Sequence, residues 1–297
     1  MKRIEWNAEN HTAIVHPGSE NRSLSKIEIQ IEHGKEPQIN FEPITLWLEK
    51  YPEDPKIKVM VDQLLEKDKA SLNQIIGYSD FDLNRGITGG DSPEGSFVAD
   101  SMREFSRSDF AFINAGGIRH PIRKGPITME DLYLLQPFDN QAEVLQLSGE
   151  QIRALIEMSL SVEFKQINKD DDAYHLDNFK VRAKGLKRVF QGKFGYLIPS
   201  GLHFEFDPQL PPMNRISVLS DSKGSALIPK NLYKVAVASY MSRGGDGYTF
   251  LKEIKPILTT PNYIRDMVLE KIIKDGGIKK LPETRILNKR LEVSFLD

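Results

Sequence analysis

The chain has 297 residues, 39% of them hydrophobic and none of them cysteine, with 40 basic against 42 acidic side chains and a formal charge of -2. That length admits one large domain or two modest ones around a real core. The charge balance argues against a bulk nucleic-acid binder, and a chain without cysteine has no disulfide, thiolate metal site or cysteine nucleophile.

Met1-Lys2-Arg3-Ile4-Glu5-Trp6-Asn7 is followed by polar residues rather than an apolar run of secretory length. No segment approaches the length of a membrane span, so the chain as written reads as unexported, cytoplasmic and without a membrane partner. Thr12 to Val15 and Ile27 to Ile31 read as strands, with a turn at Pro17 to Asn21 between them. Two such strands cannot bury a core alone. Asp54-Pro55 predicts an N-cap followed by proline at the first helical position. Val59, Leu64 and Leu65 then predict a charged amphipathic helix to about Leu72.

From Ile75 the pattern is denser. Phe97 to Phe105 predicts a helix, and Phe110 to Ile113 a strand. Thr128 caps a short helix through Leu135, Val144 to Leu147 reads as a strand, and Ser148 to Gln151 forms a capping box for a helix carrying Ile152, Leu155 and Ile156. Lys169 to Asp172 reads as a solvated loop. Strands are expected near Phe204 to Phe206, Ile216 to Leu219 and Tyr233 to Ala238, a helix from Asn262 to Lys274, and a last strand near Leu291. The alternation predicts a layered α/β domain.

Two glycine pairs stand directly after predicted strands: Asn114-Ala115-Gly116-Gly117-Ile118-Arg119, and Tyr240 to Tyr248 with Gly244-Gly245-Asp246-Gly247 inside it. Glycine there permits sharp turns and close approach of a ligand to the backbone. The Asn114 amide both donates and accepts, which suits the edge of a purine. Arg119 carries a planar cation suited to phosphate or ribose oxygens. Asp246 can accept both hydroxyls of a ribose, and Tyr240 and Phe138 offer two faces for a base. The same residues also suit a plain capped turn with Arg119 in solvent and two core aromatics. Spacing alone does not separate these readings. Neither glycine pair matches a Rossmann fingerprint or a P-loop, and the six histidines fall in no Asp-x-His, Gly-Asn-His or His-x-His pattern.

On the blocks Gly95 to Met102, Asn114 to Arg119, Gly125 to Phe138 and Gly244 to Tyr248, in this order, the chain resembles the C-terminal domain of the 5'-nucleotidase family from Ile75 to Asp297. The resemblance implies a mixed α/β, layered sheet-and-helix domain over 75–297. Before it would come a linker helix at 50–74 and, over 1–49, remnant strands of a metallophosphoesterase-like domain. It implies that Phe138 and Tyr240 clamp the base, that Asn114 contacts it with Gly117 in the same loop, and that Asp246 holds the ribose hydroxyls. Arg119 would help to hold ribose and phosphate, with Arg85 the nearest candidate for a second arginine. Tyr240 stands where the family more usually has phenylalanine, and Gly95-Ser96-Phe97 where it has Gly-Asn-Leu.

In the family two divalent metals sit in an N-terminal metallophosphoesterase domain, whose Asp, His and Asn motifs this sequence lacks. The expectation is therefore a chain that binds a nucleotide or nucleoside with no cofactor, metal or catalytic residue of its own. It would take part in nucleotide hydrolysis beside a separate metallophosphoesterase chain or as part of a longer enzyme. Two other readings stay open: phosphate-ester hydrolysis by this chain alone through a cryptic metal site, and a non-catalytic interaction protein given to partner binding or self-association.

Overall fold

Residues 1–69 and 70–297 cluster into two units of structure, Met1–Lys69 and Ala70–Asp297. The computed structural model describes residues 4–7, 12–15, 23–35, 37–47, 49–84, 90–166, 188–192 and 194–289. The turn expected at Pro17 to Asn21, the loop at Lys169 to Asp172, the strand near Leu291 and Arg85 lie outside the described residues.

In the first unit β1 (Ile4–Asn7) pairs antiparallel with β2 (Thr12–Val15), and β3 (Ser23–Gln30) with β4 (Gln38–Thr45). The second register sets Ile27 beside Phe41 and Ile29 beside Ile39, while Lys26 lies beside Glu42 and Glu28 beside Asn40. Because side chains alternate across a strand, Ile27, Ile29, Ile39 and Phe41 share one face, while Lys26, Glu28 and Glu42 share the other with Leu24 and Ile44. Helix α1 (Pro55–Leu72) starts as its sequence predicts, with Asp54 Oδ1 accepting the amides of Lys56 (2.8 Å) and Ile57 (3.1 Å).

The second unit runs β5 (Ile75–Ser79), α2 (Pro93–Ser106), β6 (Phe110–Asn114), β7 (Gly125–Thr128), α3 (Met129–Leu135), β8 (Gln141–Ser148) and α4 (Gly149–Leu160). There follow β9 (Val162–Gln166), β10 (Arg188–Gly192), β11 (Leu197–Ser200), β12 (Leu202–Phe206) and β13 (Ile216–Asp221). It closes with β14 (Leu232–Ala238), the short turn α5 (Ser239–Ser242), β15 (Leu258–Tyr263), α6 (Ile264–Asp275) and β16 (Ile286–Asn288).

Helix starts follow local chemistry. Ser92 Oγ accepts the Gly95 amide (3.1 Å) ahead of α2, with Pro93 at the first helical position. Thr128 and Ser148 cap α3 and α4 in full capping boxes with Asp131 and Gln151. The last helix begins two residues later than expected, because Tyr263 is extended and its amide donates to Asp266 Oδ2 (2.9 Å).

A five-stranded mixed sheet in the order β11-β6-β14-β8-β15 forms the middle of this unit. Every residue of β6 is buried, so both faces of the strand are covered. Helix α2 packs on β6, β11 and β14, and α4 on β8 and β13. A three-stranded sheet, β13-β12-β16, lies beyond α4, and β5 pairs with β7. The layered mixed α/β architecture is the one the sequence predicts. Among the described residues no helix is long and apolar enough to cross a membrane.

Topology brings distant segments to one edge of the sheet. β6 and β14 run parallel, with Phe112 opposite Val237, so Asn114 and Ser239 leave the sheet side by side. β8 runs antiparallel to β14, with Ala142 opposite Ala238, and therefore enters at that same edge. β11 runs antiparallel to β6, with Leu197 opposite Asn114, and enters there too. The buried middle of the sheet should carry the stability. Leu145→Ala, at a fully buried β8 position, is expected to cost about 2–5 kcal/mol by urea unfolding. Exposed Ile273→Ala should stay within about 0.5 kcal/mol.

Candidate functional site

At the carboxyl end of β14 the chain turns through Gly244 (φ 85°), Asp246 (φ 52°) and Gly247 (φ 85°), all left-handed. Glycine takes this conformation freely, whereas at Asp246 it strains the backbone. The first glycine pair behaves differently. Gly116 and Gly117 lie in a short 3-10 turn, Ala115–Gly117, without a positive φ. Gly117 serves by its small size, since a Cβ there would sit 3.1 Å from Asn114 Oδ1, whereas at Gly116 a Cβ would meet Asn114 Nδ2 at an ordinary contact distance of 3.5 Å.

Asn114, 5% exposed, donates from Nδ2 to Asp246 Oδ2 at 2.7 Å. Tyr240 OH donates to Asp246 Oδ1 at 3.1 Å and accepts the Asp246 amide at 3.2 Å. The Tyr240 ring lies over Gly245, where a Cβ would fall 2.5 Å from ring carbons. Asp246 thus joins the two glycine loops, 132 residues apart in sequence.

A third segment closes on the pair. Gly195 donates its amide to the Asp246 carbonyl at 3.1 Å, and Tyr196 O accepts the Ala115 amide at 2.7 Å. A Cβ on Gly195 would lie 2.6 Å from Asp246 Cγ, so the segment fits against the carboxylate only as glycine. The buried Tyr248 hydroxyl donates to Gly195 O, and Tyr196 OH donates to Gly90 O at 3.1 Å. Burial pushes both phenols above their ordinary pKa, which keeps them protonated as donors.

Phe138 stands in the segment entering β8. Arg265, 9% exposed, fixes that segment from both sides, donating from Nη1 to Gln136 O (3.1 Å) and from Nη2 to Asp139 Oδ1 (3.0 Å), with its guanidinium 4.3 Å from the Tyr133 ring centroid. Gln136 Nε2 donates to Gly117 O (3.0 Å), the Arg119 amide to Leu135 O (3.0 Å), and Ser239 Oγ to Asn140 Oδ1 (3.3 Å). Phe138, 43% exposed, and Tyr240, 46% exposed, are therefore half-open rings on stitched segments rather than core residues. Arg119 is exposed, with Nη1 3.3 Å from Gly116 O.

Asn114, Gly117, Arg119, Phe138, Tyr240 and Asp246 thus lie on segments that meet at one sheet edge, while Arg85 lies outside the described residues. Sequence reasoning missed Gly195, Tyr196, Tyr248 and Gln136. The aromatic-glycine-aromatic run Phe194-Gly195-Tyr196 just before Leu197-Ile198 was the available signal.

Residues 73–253 match the family model described as 5'-nucleotidase, C-terminal domain. The chain is 39% identical over 94 residues to Endonuclease YhcR of Bacillus subtilis, covering 31% of this chain and 8% of that protein. It is 24% identical over 275 residues to a 5'-nucleotidase of Vibrio parahaemolyticus, covering 86% of this chain and 42% of the other. The crystal structure of a 5'-nucleotidase precursor from Thermus thermophilus superposes with a TM-score of 0.67 at 24% identity, over 97% of this chain and 54% of that one. The chain spans less than half the length of these two curated relatives and about half of that solved chain.

The Asn114–Asp246 bond is charge-assisted and the amide is buried, so removing it leaves the carboxylate one donor short. Asn114→Ala is expected to lower stability by about 1–3 kcal/mol in urea unfolding. A loss below about 0.5 kcal/mol, the level of an ordinary surface change, would mean the bond does not hold the two loops together.

Proposed function

Because the chain belongs to the 5'-nucleotidase family through its C-terminal domain, we propose that it grips the base and sugar of a nucleotide or nucleoside at this sheet edge. The observation that carries the proposal is the convergence of a buried amide, a carboxylate on a strained backbone and two half-open aromatic rings beyond the carboxyl ends of adjacent parallel strands. Open α/β sheets bind ligands in that position. Phe138 and Tyr240 take the base by stacking, Asn114 reads its edge, and Asp246 accepts from the sugar. Arg119, on a loop exposed beside them, holds phosphate, and Gly117 keeps the backbone close.

In this reading the chain supplies the grip in nucleotide hydrolysis, and the hydrolytic step belongs to a metal-bearing metallophosphoesterase half or partner chain. Among the described residues no three His, Asp or Glu side chains gather where they could hold a metal ion. The family's two divalent metals therefore find no fitting donor set in these residues. Residues 1–49 are read as remnant strands of that phosphoesterase-like domain and 50–74 as the linker helix. The apolar face of the β3–β4 hairpin, with Ile27 46% and Ile29 57% exposed, supports contact with a partner chain or a second copy.

Isothermal titration of the intact chain with adenosine and AMP is expected to show saturable binding. Stacking contributes about 1–3 kcal/mol per base, so Phe138→Ala should weaken binding about 5- to 150-fold, and Asp246→Ala should weaken it as well. An intact chain that binds neither ligand would sink the proposal. Incubated with AMP and added manganese or zinc, the purified chain should release no phosphate above a protein-free control. Turnover that follows the chain through purification would return hydrolysis to it.

A further inference from the structure

The Asp246 carboxylate already holds one internal donor on each oxygen: Asn114 Nδ2 on Oδ2 and the Tyr240 hydroxyl on Oδ1. The two partners differ in kind. Asn114 is buried at the end of β6, whereas Tyr240 is nearly half exposed. Its phenol oxygen also accepts the Asp246 amide, so one hydroxyl is tied to both the side chain and the backbone of the same residue. Each carboxylate oxygen has two acceptor sites. Asn114 takes Oδ2 from the buried side, whereas the half-exposed phenol takes Oδ1 from the open side, so a sugar hydroxyl arriving at Oδ1 competes with the phenol.

We propose that the Tyr240 hydroxyl sets sugar selectivity at this site by standing in for one hydroxyl of a ribose diol. The inference rests on the nucleoside-binding reading above. With Oδ1 served by the phenol, recognition of the sugar falls on a single remaining hydroxyl. The site then accepts a 2'-deoxynucleoside nearly as well as a ribonucleoside. Tyr240→Phe keeps the ring over Gly245 and its stacking face and removes only the hydroxyl. It frees Oδ1 for a second sugar hydroxyl and so makes the site discriminate.

The test is isothermal titration of the intact chain and of Tyr240→Phe with adenosine and with 2'-deoxyadenosine. The native chain should bind the two within about threefold of each other, and Tyr240→Phe should favour adenosine by about tenfold or more, the size of one well-formed hydrogen bond to a charged group. An adenosine preference that is the same in both proteins overturns the sugar role and leaves nucleoside binding standing. Failure of both proteins to bind either ligand overturns the binding reading and this inference with it. Since a merely structural tyrosine would shift both affinities together, the ratio is the decisive quantity.

Discussion

One carboxylate on a strained residue organises the edge of the sheet where the candidate site lies. At φ 52° Asp246 sits in a region that costs a non-glycine residue about 1–2 kcal/mol. Three anchors hold it there: the Asn114 amide, the Tyr240 hydroxyl and the Gly195 amide on its carbonyl. Strain of this kind persists only where the surroundings over-determine it. The anchors come from three strand ends, and they meet only because β6 and β14 run parallel while β11 runs antiparallel beside β6. Sheet order therefore comes first, and the geometry of Asp246 follows from it.

What could be read in the sequence was local. Thr128 and Ser148 announce their helices because each cap is completed within three residues. Phe110 to Ile113 and Tyr233 to Ala238 are apolar throughout or nearly so, the signature of strands covered on both faces. Asn114, Tyr240 and Asp246 stood out because polar and aromatic groups sat beside glycines after such runs. The partnerships among them were hidden. Nothing local says that residues 114 and 246 share a hydrogen bond, and nothing in Gly195 alone says that its missing side chain is the room Asp246 occupies. The first glycine pair does turn the chain after β6, but as a 3-10 turn without positive φ, in which Gly117 leaves room for the Asn114 side chain.

The β3–β4 hairpin sets a different physical problem. Its cross-strand pairs Ile27–Phe41 and Ile29–Ile39 lie on one face, and ionic and amide groups lie on the other with the pair Leu24–Ile44. Two strands do not bury enough surface to be stable alone, and this face remains substantially open to solvent. An apolar row such as Ile27, Ile29, Ile39 and Phe41, open to solvent, is patterned for a further layer. The chain covers only part of the length of its relatives.

The second unit separates what keeps it folded from what it offers to a ligand. Phe112, Leu145 and Val237 fill the sheet interior and are essentially inaccessible, so their packing is indifferent to anything bound at the edge. Phe138, Arg119 and Tyr240 project from segments that the sheet positions but does not bury. Arg265 shows how the two levels are joined. Buried at the start of α6, it reaches across to hold the chain on both sides of Phe138, through the backbone carbonyl of Gln136 and the side-chain Oδ1 of Asp139. The ring thereby gains a fixed base without being packed into the core, and its face stays open. A site built this way can vary its exposed groups while the burial that stabilises the sheet is left untouched.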